Sequence, residues 1–468
     1  MPLNNNDVPQ RQRALVLQGG GALGAYESGV LTVLCEHLTN EDKGNNKKDG
    51  LLFDIIAGTS IGAMNAAILV SNVVNRKKTW IEAAKELEHF WMDERNGLSS
   101  TSGFSNVWWN EIRRQNTSTA ASEEAARRYY SVKEYLKYGT PNVFSASIPK
   151  PDSKFFDQDN TWFVYNSKPL QETIEWYSKD ENNEKLRIAT SWDNREPRLL
   201  VISVDVAKGK AVAFDSYHTK TEEDPENSLY EGDGITIDHI MASGTLPLSY
   251  GFREIGGRKF CDGGILSNTP FRELLQAHRD YWKGVVGEDK DEIPDLDVYI
   301  INVHPSKYIT DLHTTKQDTI PEDYDGVRDR INDITFSDRN SHYDEIVADL
   351  VTDYKDLVRD YTELIDGLKE LTKSHLKNKD AGDIRFQNEI ENLLKKTIEE
   401  KSRRSTVQDR KYKDLIKGRF KITKITRIEH ESYKDSIYGK ITDFTYKTIE
   451  NLIAKGKEDA RRVISKRH

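Results

Sequence analysis

Three short stretches carry residue types that could do chemistry together. The first is "GTSIG", Gly58 to Gly62, which fits G-x-S-x-G. It follows an apolar run and opens a helical pattern, which is the setting of a nucleophile elbow. The turn there is too sharp for bulky neighbours, so glycines flank the serine at two removes. Ser60 would stand at a helix N-terminus, where backbone N–H groups and the dipole favour developing negative charge. A bare G-x-S-x-G also occurs as an ordinary strand-to-helix turn, so the context rather than the pattern singles out Ser60.

A serine hydroxyl is a weak nucleophile and needs a base within hydrogen-bond reach. Two residues compete for that role. Asp262 lies in "FCDGG", at the end of an apolar strand and before Gly263 and Gly264, which let the backbone turn tightly. A carboxylate near its usual pKa of about 3.9 is a poor base at neutral pH. Desolvation against the hydroxyl would make it a better one. His304 follows the apolar strand "VYIIN" and would complete a Ser60, Asp262, His304 triad in the chain order of an α/β-hydrolase. Residue types alone leave both open, and each residue has a structural alternative: a turn-forming Asp, a loop His.

The third stretch is "LVLQGGGALGAYESGVL", residues 15 to 31. Gly19, Gly21 and Gly24 match G-x-G-x-x-G, the spacing of a dinucleotide-binding turn. That site also needs an acidic residue about 20 positions on, at the end of the next strand, to hold a ribose. Here the next strand ends in "GTS", so the second half of the fingerprint is missing. Amides at a helix N-terminus hold any anion, including the oxyanion of an acyl-transfer intermediate. The glycine loop is therefore read as an oxyanion loop and not as a nucleotide cradle.

The elements that must position these groups follow from periodicity. "ALVL" is a short buried strand, and Val30, Leu31, Leu34 and Leu38 recur at helical spacing after the glycines. "LLFDIIAG" is a second apolar strand and "SIGAMNAAILVSNVV" a small-residue helix. Strand-helix-strand-helix implies parallel strands with a right-handed crossover, which brings the glycine loop and Ser60 to one sheet edge. "RLLVISVDVAKGKAVAFDSY" predicts a hairpin turning near Gly209, and "DHIMASGTLPLSYG" a short helix broken at Pro247. Trp108, Trp109, Trp162 and Trp176 are expected in the core. From Tyr343 to Leu371, apolar residues alternate steps of 4 and 3, a heptad seam. The expected division is an α/β domain over 11–320, an α-helical hairpin over 325–415, and a returning strand and closing helix over 416–468. Phe444, Ile449, Leu452 and Ile453 would turn inward in that closing segment. The hairpin could pack on itself or form a homodimer.

Composition bounds the function. The chain has 468 residues and a formal net charge of -9, which disfavours a nucleic-acid partner. Charged residues make up 31% and the mean hydropathy is -0.72, so part of the chain is expected as solvated helix. Residues 401–430 hold 11 Lys or Arg against 3 Asp or Glu, a local basic balance that could meet anionic head groups or simply be a solvated surface. Two cysteines, Cys35 and Cys261, point to buried thiols rather than a disulfide framework. The first residues lack the apolar core of a signal peptide and no 18-residue apolar run is present, so a cytoplasmic protein, at most peripheral at a membrane, is expected. No cluster with metal-ligand spacing stands out.

Taken in order and separation, "LQGGGALGAY", "GTSIGAMNA" and "DGGILSNTP" resemble the patatin-like phospholipase family. The resemblance is strong over roughly 13–75 and 200–275. It implies a three-layer α/β/α fold with a mainly parallel central sheet, here with the α-helical hairpin inserted. It implies a Ser–Asp dyad without histidine: Ser60 as nucleophile and Asp262 as general base. The amides of Gly19, Gly20, Gly21 and Ala22 would form the oxyanion hole, with Gly24, Gly58, Gly62, Gly263 and Gly264 shaping the motifs. The implied activity is hydrolysis of lipid acyl esters, with no cofactor and no metal. "ASGTLPLSYGF" is similar to the family's Ala-Ser-x-x-x-Pro segment, so Ser243 and Pro247 would shape the site. One position departs: many members carry Arg or Lys where this chain has Leu23. An α/β-hydrolase esterase with a triad, and a membrane-associated scaffold with a degenerate site, are the competing readings.

Overall fold

The computed structural model describes residues 8–45, 50–100, 120–147, 164–179, 185–217, 234–286, 293–304, 420–430 and 440–466, and helical positions 327, 331, 332, 334–336, 363, 367, 370, 388, 389 and 392. The heptad seam, most of the hairpin expected over 325–415, and Trp108, Trp109 and Trp162 lie outside them.

The main sheet is built from β1 (Arg11–Leu17), β2 (Ile55–Thr59), β3 (Arg198–Asp205), β4 (Lys210–Asp215), β5 (Arg253–Ile255), β6 (Arg258–Asp262), β7 (Asp295–Asn302) and β8 (Ile422–Glu429). Their order is β5-β6-β3-β2-β1-β7-β8, with β4 paired to β3. β1, β2 and β3 run parallel, in the register Leu17 to Gly58 and Thr59 to Ile202. β6 runs antiparallel to β3, with Asp262 opposite Ser203. β3 is buried along its whole length, as expected of a central strand covered on both faces.

Helices with both ends among the described residues are α1 (Gly24–Gly44), α2 (Ile61–Val74), α3 (Trp80–Met92), α4 (Ala120–Tyr138), α5 (Lys168–Ser178), α6 (Ile237–Ser243), α7 (Phe271–Val286) and α8 (Tyr446–Ser465). Small residues let some of them approach closely: the carbonyl of Ile453 on α8 lies against Gly29 of α1, where a Cβ would come within 2.1 Å. Val30, Leu31, Leu34 and Leu38 are fully buried on α1, and Phe444, Ile449, Leu452 and Ile453 are buried in the closing segment, as their spacing predicts. The hairpin turning at Gly209 also forms.

Two local expectations are corrected. The helix before Pro247 ends earlier, at Ser243, because Gly244 follows it as C-cap. Trp176 is 54% exposed, with Lys179 over its ring, instead of lying in the core. A further element, β5, has only the residues Arg253, Glu254 and Ile255 and gave no apolar signal in the sequence.

The described chain divides into two units. The larger comprises 13–274, 299–341 and 426–468, and the smaller 1–12, 275–298 and 342–425. The smaller unit has its own polar joints: Trp282 Nε1 donates to Gln12 Oε1 at 2.8 Å, and His278 Nε2 lies 2.8 Å from the Pro294 carbonyl. All three chemistry-bearing stretches belong to the larger unit. Among the described residues no helix is long and apolar enough to cross a membrane.

Candidate active site

The turn expected as an elbow has an unusual backbone. Ser60 adopts φ 54° and ψ -123°, in the left-handed half of backbone space where a serine is strained. Close packing holds it there. Gly62 runs so near β1 that a Cβ would stand 2.6 Å from the Leu17 carbonyl oxygen, and Gly58 faces the backbone of Gly62. Ser60 is the residue before α2, yet its side chain does not cap that helix. Its Oγ instead donates to Asp262 Oδ2 at 2.7 Å.

One strand sets the distance between the two residues. β2 delivers Ser60 along one side of β3, and β6 delivers Asp262 along the other, so both groups flank Ile202 and Ser203. Ser243, at the end of α6, reaches the same point from another layer. Its Oγ accepts the backbone N–H of Ser60 at 2.8 Å and donates to the Ile202 carbonyl. The strained turn therefore has its buried donor satisfied by a side chain from 183 residues away.

Asp262 is 4% exposed. Its Oδ1 accepts the Gly264 amide at 2.7 Å, which turns the chain through Gly263 and Gly264 and aims Oδ2 at the serine. Burial pushes its carboxyl up to about 6, against the opposing pull of the hydrogen bonds from Ser60 and Gly264. A carboxylate of that basicity accepts a proton more readily than a solvated one, yet stays mostly ionised at neutral pH.

The glycine loop lies beside this pair. Gly21 to Leu23 form a single 3-10 turn that runs into α1 at Gly24. Gly21 has φ +57°, and the Ile441 carbonyl packs where its Cβ would be, at 2.4 Å, so only glycine fits. The amide of Gly19 is already engaged, donating to the Asn268 carbonyl at 3.1 Å. The amides of Gly20, Gly21 and Ala22 have no protein acceptor among the described residues. Those three stand at the turn that leads into α1, while the Gly19 amide is taken.

Two residues that the sequence did not single out fix this loop. Gln18 is fully buried at the end of β1. Its Oε1 accepts the amides of Val303 and His304 at 2.8 and 2.9 Å, and its Nε2 donates to Thr269 Oγ1 at 3.0 Å. Asn268 donates from Nδ2 to the Gly19 carbonyl at 3.1 Å and to the Phe336 carbonyl at 2.7 Å. A lone polar residue ending an apolar strand before three glycines was the available signal for Gln18. Asn268, six residues after Asp262 in a polar turn, had none.

His304 does not join Ser60 and Asp262. Its Nε2 lies 3.4 Å from where a Cβ on Gly20 would stand, on the glycine-loop side. The direct Ser60–Asp262 bond leaves no room for an imidazole between them. Behind the site, Asn65 on α2 donates to the Gly24 carbonyl and to Glu27 Oε2, and accepts from Trp91 Nε1, tying α1, α2 and α3 together. Burial holds the Glu27 carboxyl well above the ordinary carboxylate range, which keeps this core network uncharged.

No group of three His, Cys, Asp or Glu side chains that could hold a metal ion occurs among the described residues. Cys35 and Cys261 are buried free thiols.

The structure thus combines a mixed, mostly parallel α/β sheet with a serine on a strained strand-to-helix turn and a buried carboxylate bonded directly to it. The sequence profile of the patatin-like phospholipases matches residues 15–275, and the chain belongs to that family. Two relatives are each named cGAMP-activated phospholipase. The one from Escherichia coli (strain TW11681) is 24% identical over 296 residues, covering 63% of this chain and 62% of the relative. The one from Vibrio cholerae serotype O1 (strain ATCC 39315 / El Tor Inaba N16961) is 25% identical over 310 residues, covering 64% and 66%. The chain thus spans just under two thirds of the length of these relatives. Among solved structures, VipD from Legionella pneumophila aligns with a TM-score of 0.31 and 13% identity, over 98% of this chain and 67% of that one.

Proposed function

We propose that this chain hydrolyses carboxylic esters of lipids through a Ser60–Asp262 dyad. Ser60 Oγ attacks the ester carbonyl carbon while its proton passes to Asp262 Oδ2. The carbonyl oxygen becomes an oxyanion held by the amides of Gly20, Gly21 and Ala22. Collapse breaks the ester C–O bond, and the departing alcohol takes the proton from Asp262. A water then gives its proton to Asp262 and attacks the acyl-serine, and the fatty acid leaves as Ser60 recovers the proton. The observation that carries this reading is the 2.7 Å bond from Ser60 Oγ to Asp262 Oδ2, made by a serine that caps nothing.

The two relatives are named for activation by cGAMP, and we extend that form of control to this chain as part of the proposal. The test is hydrolysis of p-nitrophenyl butyrate and of phospholipid vesicles, each with and without added cGAMP. Turnover that disappears in Ser60→Ala and Asp262→Asn supports the dyad. Turnover surviving Ser60→Ala overturns it. No turnover under any condition, with no labelling of Ser60 by a fluorophosphonate, favours a scaffold with a degenerate site. Equal rates with and without cGAMP remove the regulatory part and leave the chemistry standing.

A further inference from the structure

The sheet edge that carries Ser60 is also where exposed apolar side chains gather. Leu248 is 85% exposed, and its φ of 68° is a left-handed conformation that a branched side chain rarely adopts. It sits on the loop leaving Thr245, whose carbonyl accepts the amide of Asp262. Phe252, 42% exposed, closes the same loop and leads into β5. Leu266, 41% exposed, lies four residues past Asp262 on the other side. Leu248 is three residues past Thr245, which bonds Asp262, and Leu266 is four residues past Asp262 itself.

Three further exposed apolar side chains occupy helical positions just before Phe336. Val327, Ile331 and Ile334 are helical positions spaced by 4 and 3, and all three side chains are exposed. Two residues on, the Phe336 carbonyl accepts Asn268 Nδ2, and the Phe336 ring lies 3.4 Å from where a Cβ on Gly264 would be. The same asparagine that holds Gly19 therefore holds Phe336, two residues past Ile334, close to Gly264. Apolar side chains at helical spacing normally turn inward; these are exposed.

Charge completes the pattern. In β3 and β6, Phe260 pairs with Asp205 and Asp262 with Ser203, so the β3–β4 and β5–β6 turns extend beyond Asp262 on the catalytic side. Those two tips carry exposed Lys208, Lys210 and Lys259 against one exposed carboxylate, Glu254, in a chain whose net charge is -9. Arg258 pairs with Asp205 there. A sheet edge that carries both exposed apolar groups and a local excess of lysines complements an anionic bilayer surface, with its acyl chains and phosphate head groups.

We propose that this edge is an interfacial face that seats the protein on an anionic lipid surface with the dyad toward the bilayer. The substrate side of this idea rests on the proposed lipid hydrolysis, but the docking does not. Binding is therefore measured on the Ser60→Ala chain, by co-sedimentation with phosphatidylglycerol–phosphatidylcholine vesicles and with pure phosphatidylcholine vesicles. Anionic vesicles should bind more tightly. Leu248→Ser and Ile331→Ser should each weaken binding about tenfold, the loss expected for one buried apolar side chain. Lys208→Glu with Lys210→Glu should remove the preference for anionic vesicles. With Ser60 present, Leu248→Ser and Ile331→Ser should reduce vesicle hydrolysis and leave p-nitrophenyl butyrate turnover unchanged. Undiminished vesicle binding in both apolar variants overturns the proposal, as does equal binding to both vesicle types. Light scattering that shows a dimer for the parent chain and a monomer for Leu248→Ser also overturns it, since a second copy would then cover the face. Vesicle binding with no turnover of either ester, with or without cGAMP, and no fluorophosphonate labelling of Ser60 in the parent chain would refute the hydrolase and leave the face standing.

Discussion

Asp262→Asn should make the protein inactive and more stable at once, and the pH dependence of the second effect is the sharper test. In the native state burial raises the Asp262 carboxyl to about 6, roughly two units above its unfolded value, which corresponds to about 3 kcal/mol. The sign follows from which state binds the proton more tightly. Between about 4 and 6 the native state holds a proton that the unfolded chain has released. The stability this group contributes is fully present below about pH 4 and is lost as pH rises through 6. Above that, the protein carries a buried charge that an asparagine does not. The substituted amide is the same size, and its oxygen can still accept the Gly264 N–H. Asp262→Asn should therefore raise Tm at pH 8 by about 6–12 °C, converting about 3 kcal/mol at 2–4 °C per kcal/mol. The gain should shrink through pH 6 and vanish near pH 4. Turnover of p-nitrophenyl butyrate should fall by about 10²- to 10⁴-fold, the usual contribution of a positioned base. Thermal unfolding followed by circular dichroism at pH 8, 6 and 4 reads the first effect. A Tm at pH 8 equal to or below that of the parent would refute the claim that the carboxylate is held at a cost. Turnover within tenfold of the parent would refute its role as base.

The pH–rate profile of kcat/KM should rise through an apparent pKa near 6 as Asp262 ionises; a flat profile between pH 5 and 7 would count against it. His304→Ala should keep that limb and lose less than about tenfold in kcat, because the Ser60–Asp262 bond does not pass through the imidazole; a triad would lose about 10³ or more. Ser243→Ala leaves the Ser60 amide without its acceptor, so kcat should drop about tenfold with little change in KM, and stability by about 1–3 kcal/mol. Gly21→Ala forces a side chain against the Ile441 carbonyl in a left-handed turn; fluorophosphonate labelling and turnover should both collapse, and labelling at the parent rate would show that this turn is not needed.

Much of this site could be read from local pattern, because its parts are backbone devices with sequence costs. An elbow needs glycines around Ser60, and a helix N-terminus that holds an anion needs small residues, so both leave letters behind. The parallel order of β1 and β2 followed from strand-helix-strand spacing alone. What could not be read were contacts between distant segments. Ser243 and Ser60 are 183 positions apart, and nothing in "MASG" says that its hydroxyl ends on a nucleophile's amide. Asn268 and Gly19 are 249 apart. Which of Asp262 and His304 lies against Ser60 was likewise a matter of tertiary distance: residue type left it open, and the structure puts Asp262 there. β5 escaped notice because an edge strand of three residues buries too little to leave a period-2 signal.

Leu23 is the one position where the motif departs from the pattern common in the family, and its surroundings account for the residue found. It is 4% exposed and belongs to the main apolar core, where an unpaired cation would be desolvated at a cost of several kcal/mol. Under the proposed mechanism the oxyanion then depends on amides alone. Amides stabilise a developing charge well only if they are aimed before it appears, since reorganisation during the reaction would consume the gain. The loop is fixed from three directions that meet this requirement. Gln18 ties its entry to Val303, His304 and Thr269, Asn268 grips Gly19 by both its amide and its carbonyl, and Ile441 closes on Gly21. Ile441 in turn sits just before Asp443 and Thr445, which bond to each other and to Arg128 and Arg127 of α4. The glycine loop near residue 20 is thus held in shape by chain more than 400 residues later, so a change in the 440–445 segment reaches the oxyanion amides through Gly21 without touching Ser60 or Asp262.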